Sequence, residues 1–170
     1  MDKIIVTVLL ILAGTITVVG LFNVVYPAVT QSGNALGRMA ADVSDRVSSR
    51  VDIIHATGEL DSNGAWQDTN ADGYFNVFVW VKNVGSSRIQ GIDECDVFFG
   101  EQGDFSRIPY VNDAGGSLPS WTWSLENDTE WKGSSTLRIT IYFSSPLSSG
   151  TYFLKVAIPN GVADEYTLSM

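Results

Sequence analysis

The stretch Asp68-Thr-Asn70-Ala-Asp72-Gly73 holds the densest chemistry in the sequence. Oxygen-bearing side chains at alternate positions, followed by Gly, match the opening of a calcium loop. There they converge on a hard cation while the Gly permits a sharp turn. The Tyr74 carbonyl would be the next ligand, and Asn76 could serve the ninth position of such a loop. However, Val79 stands where a bidentate Glu is expected, and no helical pattern precedes the loop. The alternative is an Asp- and Asn-rich hairpin tip that needs no ion. Both readings stand, and calcium, if bound here, is structural. Asn127-Asp128-Thr129 forms a glycosylation sequon, which matters only for an exported head. Trp121-Thr-Trp123 places two indoles on the same side of an extended segment. That pattern suits a carbohydrate platform, but more often it fills a sandwich core or a subunit contact, and packing is the favoured reading.

Catalysis finds little footing. His55 is the single histidine and Cys95 the single cysteine, so neither a Ser-His-Asp arrangement nor a histidine-rich metal centre is supported. A lone Cys within an alternating run reads as a small buried hydrophobe, and no intrachain disulfide can form. The acid pairs Asp93/Glu94 and Asp164/Glu165 are adjacent in sequence, which on a strand sends them to opposite faces. No phosphate-cradling Gly loop is present. The sequence is not that of an enzyme.

What must position these residues starts with the run Ile4 to Tyr26, IIVTVLLILAGTITVVGLFNVVY, and no charged residue lies between Lys3 and Arg38. A bilayer span needs about 20 largely apolar residues, and an isolated segment in lipid must satisfy its own backbone, which favours a helix. The run is too long for a signal-peptide core of about 7–15 residues, its one Lys is balanced by Asp2, and it flows into a helical pattern, so a retained stem is expected. Pro27 is a candidate kink. Beyond it, Leu36, Met39, Ala40, Val43, Val47, Val51 and Ile54 recur at three- and four-residue steps, the spacing of one helical face. The stem is therefore expected to continue to about residue 50, on the order of 75 Å at 1.5 Å per residue. Such a rod has little to pack against in one small protomer. It must lie in lipid or among neighbours, and Ile4, Ile5, Val8, Leu9, Ile11, Leu12, Val18, Val19, Phe22 and Val25 are the side chains expected to bury there. Gly14 and Gly20, with Ala13, Thr7, Thr15 and Thr17, let helices approach closely. A single-pass anchor and a bundled filament core both fit.

From Asp61 to Gly73 the composition turns to loop chemistry, and the chain beyond Gly73 is β-like. Tyr74–Lys82 alternates, with Phe75, Val77, Val79 and Val81 on one face; Arg88–Phe99 reads as extended; Thr136–Phe143 and Thr151–Ile158 are strands, with a last short one through Tyr166 and Leu168. The expected fold class is α+β: a long hydrophobic N-terminal helix over residues 1–54, then an antiparallel immunoglobulin-like sandwich head over residues 55–170. The formal net charge of −9 belongs to the head, because residues 1–54 hold four acids against four bases and the rest of the chain 15 acids against 6 bases. Such a surface disfavours nucleic acid and anionic lipid.

Phe78-Val-Trp-Val-Lys-Asn-Val-Gly-Ser-Ser87, Ile92-Asp-Glu-Cys-Asp-Val-Phe-Phe-Gly100 and Gly150-Thr-Tyr-Phe-Leu-Lys-Val-Ala-Ile-Pro-Asn-Gly161, behind an apolar N-terminal helix, resemble the archaellum filament family. That family comprises archaeal flagellins and their accessory relatives of the F and G type, and the head motifs look closer to the G type. The resemblance implies a β-sandwich outside the cell, insertion in the membrane before assembly, and a homo-oligomeric helical filament. It also implies an assembly ATPase and a platform protein as partners. On assembly, lipid around the stem is exchanged for neighbouring stems, and a repeated head-to-tail contact generates an open helix of subunits. The function the resemblance implies is that of a structural subunit of an extracellular motility filament, assembling through its N-terminal helix; the alternative is a minor membrane-anchored accessory whose head binds the envelope surface layer. Its members are usually made with a short basic leader ending in Gly, a pattern from which Met1-Asp2-Lys3 departs.

Overall fold

A computed structural model describes residues 2–170; Met1, part of the departure from a leader pattern, lies outside them. Helix α1 spans Asp2–Ser48 and passes through Pro27 without ending. The chain divides into two compact units after Val43, so the last turn of α1 belongs to the head.

The N-terminal unit is helix alone. Its polar side chains turn back on its own backbone: the hydroxyls of Thr7, Thr17 and Ser32 each donate at 2.8 Å to the carbonyl four residues earlier, those of Lys3, Ala13 and Ala28. Thr15 and Thr30 do the same with carbonyls of the preceding turn. Donors that would be costly in an apolar medium are thereby met within the helix. The apolar side chains point outward on all sides, Leu10 being 69% exposed and Val24 73%. The helix is long and apolar enough to cross a membrane.

The second unit is a sandwich of eight strands: β1 (Val51–Gly58), β2 (Phe75–Asn83), β3 (Asp96–Glu101), β4 (Asp104–Ile108), β5 (Ser120–Glu126), β6 (Thr136–Phe143), β7 (Thr151–Ala157) and β8 (Ala163–Ser169). They form two four-stranded sheets, ordered β1-β2-β6-β5 and β4-β3-β7-β8, with every pairing antiparallel. Alternation sends Val77, Val79 and Val81 of β2 and Leu137, Ile139 and Ile141 of β6 inward. They meet Val97 and Phe99 of β3 and Leu154 and Val156 of β7 in a core with almost no exposure. This is the α+β plan expected from sequence.

Three local expectations are corrected. The helix stops at Ser48, and residues 51–54 belong to β1. Val51 and Ile53 are buried while Asp52 and Ile54 face out, a two-residue period; the spacing of Val47, Val51 and Ile54 fits a helical step equally well. The two units expected to divide after residue 54 divide instead after Val43, and residues 48–50 form the neck between α1 and β1. The extended segment Arg88–Phe99 is mostly loop, with a 3-10 turn at Ile92–Glu94 and a strand only from Asp96. Asp93 and Glu94 thus lie on that turn and not on opposite faces of a strand, whereas Asp164 and Glu165 do alternate on β8.

Each side of the sandwich carries a link between the two sheets. At one, β1 bulges between Ile53 and His55, and the Ile53 N–H donates across to the Asp164 carboxylate of β8 at 2.7 Å. At the other, the chain after β4 bridges to β5: the Trp121 N–H donates to the Pro109 carbonyl at 3.0 Å and Val111 N–H to the Trp121 carbonyl at 2.9 Å. Free strand edges invite pairing with other chains, and these links occupy them in part. Replacing Asp164 by Ala should strand the Ile53 N–H and cost the head about 1–3 kcal/mol, read as a lower urea midpoint with an unchanged slope.

Candidate functional site

The residues Asn83-Val-Gly-Ser-Ser87, part of the stretch that carries the resemblance, form a socket for the end of α1. A helix terminus leaves its last carbonyls without donors, and the socket supplies them. Ser86 N–H and Ser87 N–H donate to the Ser48 carbonyl at 2.9 and 3.2 Å, and Val84 N–H and Gly85 N–H to the Arg50 carbonyl at 2.9 and 3.0 Å. The Ser87 hydroxyl meets that of Ser48 at 2.6 Å, and the Asn160 amide donates to the Ser49 hydroxyl at 2.9 Å.

Asn83 holds this loop in shape. Fully buried, it accepts from Gly85 N–H at 3.0 Å and donates to the carbonyls of Ser87 and Trp131 at 2.9 and 3.1 Å. Gly85 is required by space: a Cβ there would lie 2.4 Å from the Ser48 carbonyl oxygen and 2.6 Å from the Arg50 nitrogen. Sequence reading found this motif as a mark of the resemblance and missed its task, because partners such as Ser48 and Trp131 lie 39 and 48 residues away and are mostly backbone.

The loop after β1 gathers some of the candidate metal ligands. Asp68 accepts from the N–H groups of Asp72 and Gly73 at 3.2 and 2.9 Å, and Asp72 from Tyr74 N–H at 2.9 Å. The amides of Asn70 and Asn76 donate to Asp72 at 2.8 and 3.1 Å, and Asn76 also reaches the buried Glu59 at 3.0 Å. The carboxylates are thus engaged by the loop's own donors. Val79, at the position of the missing bidentate carboxylate, lies fully buried in the core, and among the described residues no three His, Cys, Asp or Glu side chains form a metal cage. The loop thus lacks the bidentate carboxylate of a full calcium loop, while one of its oxygens, Asn76 Oδ1, is buried without a partner.

The remaining candidates are dispersed. Asn127 is exposed just after β5, with a left-handed φ of 57°. Trp121 and Trp131 are in the core and Trp123 is half-buried against it, so the paired indoles of β5 pack inward. Cys95 is buried and its thiol is pushed up to about 12, by desolvation first and then by Asp96, Asp93 and Glu94; it is no nucleophile at neutral pH. His55 lies on the outer face, stacked on Trp80 at 5.4 Å.

A long apolar helix leading into a two-sheet antiparallel sandwich places the chain in the flagellin-like fold class. The chain is related to the proteins of the archaellum. The archaellum periplasmic stator protein FlaG from Sulfolobus acidocaldarius is 28% identical, with a TM-score of 0.54 over 71% of this chain and 99% of that one. The FlaF–FlaG stator complex from the same organism matches at 28% identity and a TM-score of 0.53, over 69% of this chain and 87% of that one. Archaeal flagellin FlaB1 from Methanocaldococcus jannaschii shares the fold at 11% identity, with a TM-score of 0.50 over 72% and 90% of the two chains. An uncharacterised protein of Archaeoglobus fulgidus is 25% identical over 172 residues, 96% of each chain. No family model matches. These neighbours support an archaellar role.

Two measurements bear on this geometry. Gly85→Ala should cost about 1–3 kcal/mol by overpacking the socket, whereas Gly103→Ala, at an open turn outside it, should leave the neck's protection from protease unchanged; limited proteolysis around residues 48–50 separates the two. For Asp72, desolvation raises the carboxyl's pKa, but hydrogen bonds from Tyr74, Asn70 and Asn76 outweigh it, and the net shift is downward. Its contribution is therefore present above the unfolded value of about 3.9 and is lost as pH falls through the depressed folded value. Wild type and Asp72→Asn should differ in thermal midpoint at pH 7 and converge in acid.

Proposed function

We propose that the chain is a stator-type accessory subunit of an archaellum, with its stem seated in the membrane among other stems and its sandwich outside. The observation that carries this reading is the contrast in identity, 28% to the FlaG stator protein against 11% to the filament flagellin, at nearly equal likeness of fold. The stem supports it physically: a helix exposed and apolar on every side is stable only in lipid or among its own kind. The neck then serves as the joint at which load passes between stem and head. Nothing in this role asks for a nucleophile, a cofactor or a phosphate site, so the subunit acts by holding and not by catalysis.

The second reading, a structural subunit of the motility filament itself, draws on the same stem, whose uncharged length would also suit a bundled core. Mass spectrometry of sheared filaments distinguishes the two. The stator reading expects this polypeptide in the envelope fraction and at most in trace within filaments; its appearance as the dominant filament band would replace that reading with the filament one.

The filament reading requires stems to pack on stems, and the stator reading places them side by side in the membrane. Leu10→Asp places a charge in the middle of the apolar run, at a cost of a few kcal/mol per copy even on lenient scales. Cross-linking in membranes should then show monomers in place of oligomers, with an unchanged sandwich signal in circular dichroism. Oligomers at the wild-type level would sink the homotypic assignment.

A further inference from the structure

The outer face of the β1-β2-β6-β5 sheet carries a depression that the stem and neck do not use. Register builds it. Tyr142 of β6 lies between Asn76 of β2 and Ser120 of β5, and Thr140 lies beside Thr122. Because Ile141 and Trp121 point into the core with no exposure, Tyr142, Ser120 and Thr122 face outward. The loop before β5 and the tip of the loop before β2 wall them in, leaving about 360 Å³ lined by Tyr74, Tyr142, Asp72, Ser117, Ser120 and Thr122 with apolar neighbours. The Tyr74 and Tyr142 rings meet edge to face at 5.5 Å and 64°, and Tyr74 is 40% exposed.

We propose that this depression binds a neutral saccharide. The lining decides the class by exclusion. It holds one carboxylate and no cationic side chain, so an anion is repelled, the more so on a head with an excess of acids. A purely aliphatic ligand would strip water from the lining hydroxyls of Tyr74, Tyr142, Ser117 and Thr122 and return no hydrogen bond. An ammonium group would find the Asp72 carboxylate already engaged by Tyr74 N–H and by the Asn70 and Asn76 amides. A sugar ring suits the rest: its C–H face lies on a tyrosine ring, and its hydroxyls exchange hydrogen bonds with Ser117, Thr122 and the tyrosine phenols. The Tyr142 phenol remains a donor at neutral pH, since desolvation and then Asp72 raise its pKa against the opposing pull of Arg138.

The site is independent of which archaellar role the chain plays. Its test uses the full-length protein in a non-glycosidic detergent, on an array of neutral gluco-, galacto-, manno- and N-acetylhexosamine oligosaccharides with uronic-acid oligosaccharides alongside. The strongest neutral ligand is then titrated by intrinsic fluorescence. The expected result is binding to at least one neutral class, weakened about tenfold or more by Tyr142→Ala, roughly 1.4 kcal/mol. Tyr142→Phe should retain most of the affinity, and Phe153→Ala, on the opposite sheet, all of it. No binding to any neutral sugar, stronger binding to the uronic acids, or equal binding by wild type and a folded Tyr142→Ala would each overturn the proposal.

Discussion

The Ser48 carbonyl, closed by two backbone N–H groups of the Gly85 loop, is the interaction on which the rest of the structure depends. Where a helix ends and a sheet begins, backbone groups must find partners without the regular ladder of either. Here they find them in a loop whose position is itself fixed by the buried Asn83 and by the close pass of Gly85. Without that closure, residues 48–50 would be an exposed linker. With it, the final turn of α1 becomes part of the head.

The sandwich is arranged to support this joint. Asn83 ends β2, the central neighbour of β1, and its amide also ties down the Trp131 carbonyl in the loop before β6. Trp131 is buried in turn. The core therefore braces the socket from behind, and the strand that leaves the neck, β1, is clasped at its bulge by Asp164. Burial supplies the stability of the head, while directional bonds at the neck and the clasp decide its geometry.

Much of this is legible in the residues, for identifiable reasons. The stem shows itself because no charge interrupts Ile4 to Gly37, and β2, β6 and β7 because Val77-Val79-Val81, Leu137-Ile139-Ile141 and Tyr152-Leu154-Val156 alternate. β1 is hidden because Val47, Val51 and Ile54 fit a helical step as well as Val51 and Ile53 fit an extended one. β4 is hidden because Asp104 to Arg107 are exposed on both faces and leave no pattern to find. The socket and the tyrosine depression depend on register between strands distant in sequence, such as Asn76 beside Tyr142, and no local spacing encodes that. The calcium-like motif illustrates the converse: its residues do sit together, and the carboxylates of Asp68 and Asp72 accept from the loop's own N–H groups.

The inward-turned hydroxyls of Thr7, Thr15, Thr17, Thr30 and Ser32 carry a consequence for turnover. A stem whose hydroxyls are spoken for internally keeps the same bonding whether acyl chains or side chains surround it. Moving between those surroundings breaks none of these hydrogen bonds, so departure is chemically as easy as arrival. These hydroxyls therefore favour neither setting over the other.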